Sequence, residues 1–173
     1  MRGFINGVIF TLAFFGAAGL VAVIGGFVPA RADVPPPAPE EWAATTSLHA
    51  TIARETRGVT SPVALDDANL LAGIKLYGAN CAVCHGASDA KTSTLAKGFY
   101  VKSPQLAKDG VEDDAEATTF WKLKHGIRFT AMPAFGENLS DEDLWKVALF
   151  LKHMDRLPPA ADSAWKALPS VGS

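Results

Sequence analysis

Cysteine is scarce, with two residues in 173. That excludes the several-bridge framework by which small exported domains are stapled together. It also leaves too few thiolates for a four-cysteine zinc site. Neither charge is in surplus. Sixteen Lys and Arg stand against eighteen Asp and Glu, a net charge of −2, so the balance points neither to nucleic acid nor to a highly acidic partner. No run alternates apolar and polar residues as a strand would, and there is no internal repeat. Charge is wholly missing from one long stretch, "VIFTLAFFGAAGLVAVIGGFV", Val8 to Val28.

That stretch is about as long as a helix needs to be to cross the hydrocarbon core of a bilayer. It predicts a transmembrane anchor over residues 1–32, with the amino end inside and everything from Asp33 onward exported. The alternative is a signal peptide cut after Ala30-Arg31-Ala32, but signal-peptide apolar cores are shorter. "DVPPPAP", residues 33–39, is a stiff proline-rich spacer. In "EEWAATTSLHATIARETRG", Trp42, Thr45, Leu48, His49 and Ile52 recur at helical spacing, which predicts a short amphipathic helix ending near Gly58. It packs on the domain or lies at the membrane surface. Spacer and helix together occupy 33–61.

The main domain is expected over 62–160, with 161–173 as a tail. A helix capped by Asp66 or Asp67 puts Leu70, Ile74, Tyr77 and Cys81 on one face. Residues 86–112 read as a long loop, and loops of that length are usually functional. A helix from about Asp113 to Lys124 opens on acidic residues, which suit the positive end of its dipole. After the irregular "IRFTAMPAFGEN", Ser140 caps a last helix with the apolar stripe Leu144, Val147, Ala148 and Leu151. Pro158 and Pro159 are expected to end helical structure.

Both cysteines lie in "NCAVCHG", residues 80–86. A disulfide across two intervening residues stabilises little by loop closure. Structural zinc needs four ligands, and no second close pair of ligands exists. A redox dithiol belongs in a βαβ setting, for which there is no strand. Cys-x-x-Cys-His is the signature of covalent haem c attachment, in which each thiol bonds one vinyl carbon and the imidazole reaches the iron.

"AGIKLYGANCAVCHG", "HGIRFTAMPAFG" and "LSDEDLWKVALFLKHM" together resemble class I c-type cytochromes with a single haem, over about residues 63–157. With its anchor and spacer the chain is similar to the membrane-tethered bacterial branch. The resemblance implies an all-α domain of three to five helices around one covalent haem c, preceded by one N-terminal transmembrane helix. It implies Cys81 and Cys84 as attachment points and His85 as proximal ligand. It also implies one-electron transfer on the periplasmic face of the bacterial inner membrane, without enzymatic turnover. Redox proteins are then the partners, with no nucleic acid and no small-molecule substrate. The donor is a quinol-oxidising complex or exported dehydrogenase and the acceptor a terminal oxidase or reductase. The alternatives are a haem-based ligand sensor or peroxidase-like protein, which needs an open sixth position, and a fixed cytochrome subunit of a larger oxidoreductase.

Five residues compete for the sixth position: Met132, Met154, His49, His125 and His153. Met132 sits in an irregular loop, and Pro133 restrains the residue before it. The family's Met-Pro motif assigns the role to Met132, so that His85 and Met132 are the expected metal ligands. The proximal imidazole should donate its other N–H to a carbonyl, which the resemblance places at Pro104. Tyr100 and Trp121 are further candidates, as hydrogen-bond donors to the haem propionates, with packing as their alternative role. Gly73 is the residue expected to let the first and last helices of the domain cross closely. Lys75, Lys91, Lys97, Lys102, Lys108, Lys122, Lys124 and Arg128 would steer an acidic redox partner if they surround the haem edge. Otherwise they form an ordinary solvated surface.

Overall fold

The computed structural model describes residues 1–171, and the chain divides into two compact units, Met1–Arg31 and Ala32–Ser173. The described residues form eight α-helices and no strand. The first unit is helix α1, Arg2–Ile24, with a mean hydropathy of 2.4 and no buried residue. Its length and composition suffice to cross a membrane. It stops short of Val28 because Gly25 caps it and Gly26 turns the backbone into the left-handed region at φ 72°.

The second unit holds α2 (Ala38–Glu55), α3 (Asp67–Asn80), the single turns α4 (Ala82–His85) and α5 (Thr94–Lys97), α6 (Glu116–His125), α7 (Asp141–Lys152) and α8 (Pro159–Lys166). Asp66 caps α3 by accepting from the Asn69 amide at 2.8 Å. Ser140 caps α7, accepting from the Asp143 amide at 3.1 Å while its hydroxyl donates to the Asp143 carboxylate at 2.7 Å. One 3₁₀ turn, Val111–Asp113, precedes α6. It takes in Asp113, with Asp114 as its C-cap, so that of the acidic residues expected in the first turn Glu116 alone opens α6.

The core forms where α3 and α6 pack on α7 and α8 packs on α3. The stripe of α7 is fully buried, and so are Trp145, Leu149 and Phe150, because α7 is covered on nearly every side. Gly73 of α3 lies against the backbone of Lys146 in α7. The ring of Phe120 stacks on Trp145 with centroids 4.1 Å apart.

Two expectations fail here. The tail expected at 161–173 begins, among the described residues, with a packed helix. Pro159 starts α8 instead of stopping helix formation, since the first helical position needs no N–H and suits proline's fixed φ. Ala161 and Trp165 are buried, and Trp165 meets Tyr77 and Phe150 edge-on at 5.4 and 5.2 Å. Trp165→Ala should therefore cost about 3–5 kcal/mol. The measurement is the thermal midpoint of the detergent-solubilised protein, and an unchanged midpoint would restore the tail.

The spacer and α2 likewise belong to the same unit as the domain. The face that α2 turns inward differs from the predicted stripe. Ile52 is buried and Leu48 and Thr51 are half-buried, but Trp42, Thr45 and His49 are exposed. Helical spacing alone does not say which side of a mostly polar helix meets a neighbour. Two hydrogen bonds decide it. Glu40 accepts from the Tyr100 hydroxyl and Glu55 from the Trp121 indole N–H, each at 2.8 Å.

Candidate functional site

The two cysteines sit where α3 passes into α4. Cys81 is the C-cap of α3 and the N-cap of α4, and its carbonyl accepts from the amides of Cys84 and His85 at 3.0 and 2.9 Å. This turn places Cys81, Cys84 and His85 on one short helical segment. The thiols are free, with Cys81 buried and Cys84 half-buried. Burial, then the neighbouring Cys84, pushes the Cys81 thiol up to about 12, and burial raises Cys84 as well. Both are held as thiols, the opposite of the lowered pKa that a reactive redox dithiol needs. Among the described residues no three His, Cys, Asp or Glu side chains gather into a metal-binding group, which removes the zinc reading.

His85 Nδ1 lies 2.9 Å from the Pro104 carbonyl oxygen. A carbonyl only accepts, so Nδ1 carries the proton and Nε2 has the lone pair. Burial holds the imidazole below its usual range, with the Pro104 carbonyl pulling the other way. A neutral, oriented imidazole with Nε2 available is what a metal requires of histidine.

The Met132 loop is pinned at both ends. The Met132 amide donates to Thr130 Oγ1 at 3.1 Å, and its carbonyl accepts from the Ile127 amide at 3.2 Å. The loop then folds back on α6, where the amides of Phe135 and Gly136 donate to the carbonyls of Leu123 and Lys124 at 3.0 and 3.2 Å. Gly126 makes this possible. Its φ is 66°, and a Cβ there would meet Ala134 N and Pro133 C at 2.7 Å and Met132 O at 2.8 Å. Met132 itself is half-buried against the core. The rival ligands are engaged elsewhere or exposed. His153 lies 3.8 Å from a Glu116 carboxylate oxygen, Met154 packs on the core, and His49 and His125 are exposed.

Two thiols one turn apart, a neutral imidazole directly after them and a thioether on a fixed loop make a donor set suited to covalently attached haem. Tyr100 and Trp121, the candidates for the haem propionates, both donate to carboxylates of α2 in this structure. The Trp121 indole has one proton to donate, and Glu55 takes it. Glu40 takes that of Tyr100. The hydrogen bond from Trp121 is the main cause that lowers the Glu55 carboxyl below its ordinary value of 4.5. A lowered carboxyl pKa stabilises above the ordinary value and loses that effect as pH falls through the folded one. Acidification should therefore loosen α2 before the core, seen as a fall in the protection of the Leu48–Glu55 amides relative to their intrinsic exchange rates. Glu55→Gln should abolish the pH dependence of that protection.

The basic residues do not form one free ring. Lys91 pairs with Asp89, Lys122 with Asp114 and Lys124 with Asp141. Lys102 donates to the carbonyls of Lys97 and Phe99. Packing of α2 on the domain is one of the two expected arrangements, but the residues that make the contact are not legible locally, because the partners are 60 and 66 residues apart.

The sequence profile described as "Cytochrome C oxidase, cbb3-type, subunit III" matches residues 68–151. Among curated proteins, cytochrome c6 of Gracilaria tenuistipitata var. liui is 34% identical over 84 residues, which span 49% of this chain and 71% of that protein. No solved structure matches significantly.

Proposed function

Since the chain belongs to the single-haem c-type cytochromes, we propose that it is a membrane-tethered one-electron carrier whose haem is held by Cys81, Cys84, His85 and Met132. Members of this family carry covalent haem c and transfer electrons. When bound, the haem supplies a one-electron iron couple. The protein supplies the rest. Cys81 and Cys84 provide the thioether sulfurs. Pro104 orients His85 and makes it a better donor. The clamped loop keeps Met132 in place, and a thioether beside an imidazole favours the ferrous state. The observations that support this reading are a histidine held at Nδ1 by the Pro104 carbonyl and a methionine whose amide and carbonyl are both hydrogen-bonded within its loop.

The tether is α1, which would leave the domain on the periplasmic side of a bacterial inner membrane. There it would take electrons from a quinol-oxidising complex or exported dehydrogenase and pass them to a terminal oxidase or reductase. Nothing in this role transforms a substrate. The match to a profile named for an oxidase subunit supports a second reading, that of a fixed cytochrome subunit in a larger complex.

The test is purification of the full chain in mild detergent. The carrier reading expects release from membranes by detergent but not by high salt, and a haem stain that survives denaturation and acid acetone. It also expects a ferrous form that does not bind carbon monoxide at neutral pH. Ready binding would replace the carrier with a sensor or peroxidase-like protein. Stable co-purification with oxidase subunits would select the second reading. A protein that begins at Asp33 would overturn the tether.

A further inference from the structure

A helix of four residues leaves its carbonyls without partners of its own. In α4 and the residue after it, four consecutive carbonyls are each satisfied from outside. Val83 O accepts from the Ser93 hydroxyl at 2.6 Å, Cys84 O from the Gln105 side-chain amide at 3.3 Å, His85 O from the Leu106 amide at 3.3 Å and Gly86 O from the Tyr77 hydroxyl at 2.7 Å. The two hydroxyl bonds are the short ones, and they flank Cys84 and His85. Both hydroxyls are deeply placed, with Tyr77 at 0% and Ser93 at 6% exposure.

The ring of Tyr77 is already accounted for by its packing. It meets Phe150 and Trp165 edge-on at 5.5 and 5.4 Å, and a phenylalanine would do the same. A buried hydroxyl adds a desolvation cost that only a hydrogen bond offsets, so the oxygen is explained by Gly86 and not by the core. The Ser93 hydroxyl also accepts from the Ala96 amide as the cap of α5 at 3.1 Å, but capping does not use the proton it donates to Val83. There is little slack behind the turn. Gly86 has φ 76°, and a Cβ there would lie 2.5 Å from Gln105 Oε1, a buried oxygen with no hydrogen-bond partner.

Resting on the reading of His85 as an iron ligand, we propose that the Tyr77 and Ser93 hydroxyls are positioning groups. They clamp the peptides on either side of Cys84 and His85, so that the His85 Nδ1 proton stays aimed at the Pro104 carbonyl. Without either clamp the turn can rock and the Nδ1–H···O bond lengthens. The imidazole then loses part of the basicity which that bond lends it.

The experiment uses the full-length haem protein in detergent, with Tyr77→Phe, Ser93→Ala and Ser93→Thr. Exchange of the His85 Nδ1 proton with water is followed by NMR in the ferrous state, alongside the reduction potential and the thermal midpoint. Tyr77→Phe and Ser93→Ala should each speed the exchange about tenfold, the factor that about 1.4 kcal/mol corresponds to. Each should raise the potential, because a less basic imidazole supports ferric iron less well. Ser93→Thr keeps the hydroxyl and should behave as wild type. If both truncations lower the midpoint but leave exchange and potential unchanged, the hydroxyls are structural only and the inference is wrong. A fall in potential would also overturn it, since that would report water entering the pocket. If the wild-type protein shows no exchangeable proton from an iron-bound histidine, the ligand reading fails first and the inference with it.

Discussion

Met132→Ala should abolish the weak far-red sulfur-to-iron absorption of the ferric protein and lower its reduction potential. The size of the drop follows from the ligand lost. Axial ligation moves haem potentials over roughly 0.8 V, and a methionine opposite histidine lies toward the high end. Removing the thioether should therefore shift the potential by a sizeable part of that range. It should also let water, carbon monoxide or cyanide reach the sixth position. The fold should survive, because Met132 is only half-buried and its loop is held by backbone bonds to Thr130 and Ile127 that alanine retains. Met154→Ala is the control. Met154 packs on the core beyond the end of α7, so the change should lower stability and leave band and potential nearly unchanged. A wild-type protein that lacks the band, with Met132→Ala spectroscopically silent, would move the ligand to His49, His125 or His153. Gly126→Ala should partly reproduce the Met132 phenotype without touching the sulfur, because its Cβ would press on the backbone of Met132, Pro133 and Ala134.

How legible each feature was follows from how far along the chain its cause acts. The Cys-x-x-Cys-His string and the cap Ser140 are each defined by residues within a few positions of one another and can be read directly, whereas Met132 as a ligand candidate is reached through the family's Met-Pro motif. The Pro104 carbonyl lies 19 residues from His85. It is reached only through resemblance to a family, since no local rule connects a proline to a distant imidazole. The carbonyl clamps escape sequence reading for a further reason. Tyr77 fits the apolar face of α3 whether or not its hydroxyl has a purpose, and nothing in the stripe reveals Gly86 as its acceptor. The same holds for Tyr100 and Trp121. Their donors are committed to Glu40 and Glu55, and that choice depends on how α2 is rotated about its axis, which a helix with one buried side chain does not encode in its periodicity. The helix α8 was missed through a rule applied in the wrong direction, since proline ends a helix from within but begins one at its first position.

Gly73→Ala should be the most damaging single-methyl change in the domain. An added Cβ would overlap the Lys146 carbonyl oxygen and lie 2.8 Å from its carbon and 3.0 Å from the Phe150 Cβ. Backbone atoms cannot swing aside as the end of a side chain can, so α3 and α7 would have to separate. That separation would disturb the contact around which the core is built. Leu70, Ile74 and Tyr77 of α3 and Leu144, Val147 and Phe150 of α7 are all almost fully buried. Overpacking of this kind typically costs 1–3 kcal/mol and occasionally more. Alanine's better helix propensity returns only about 1 kcal/mol. With a backbone overlap the overpacking loss falls at the upper end of its range, and the net of about 2 kcal/mol is a sizeable part of the 5–15 kcal/mol that stabilises a typical domain, so it should lower the thermal midpoint by about 4–10 °C. Gly78→Ala is the matched comparison on the same helix. Its Cβ would meet the methyl end of Leu168 at 2.8 Å, a flexible side chain that can turn away. That variant should be near neutral, gaining propensity and losing a little packing. Equal midpoints for the two variants would mean that the α3–α7 crossing can relax, and that its closeness is not what holds the turn carrying Cys81, Cys84 and His85 in register.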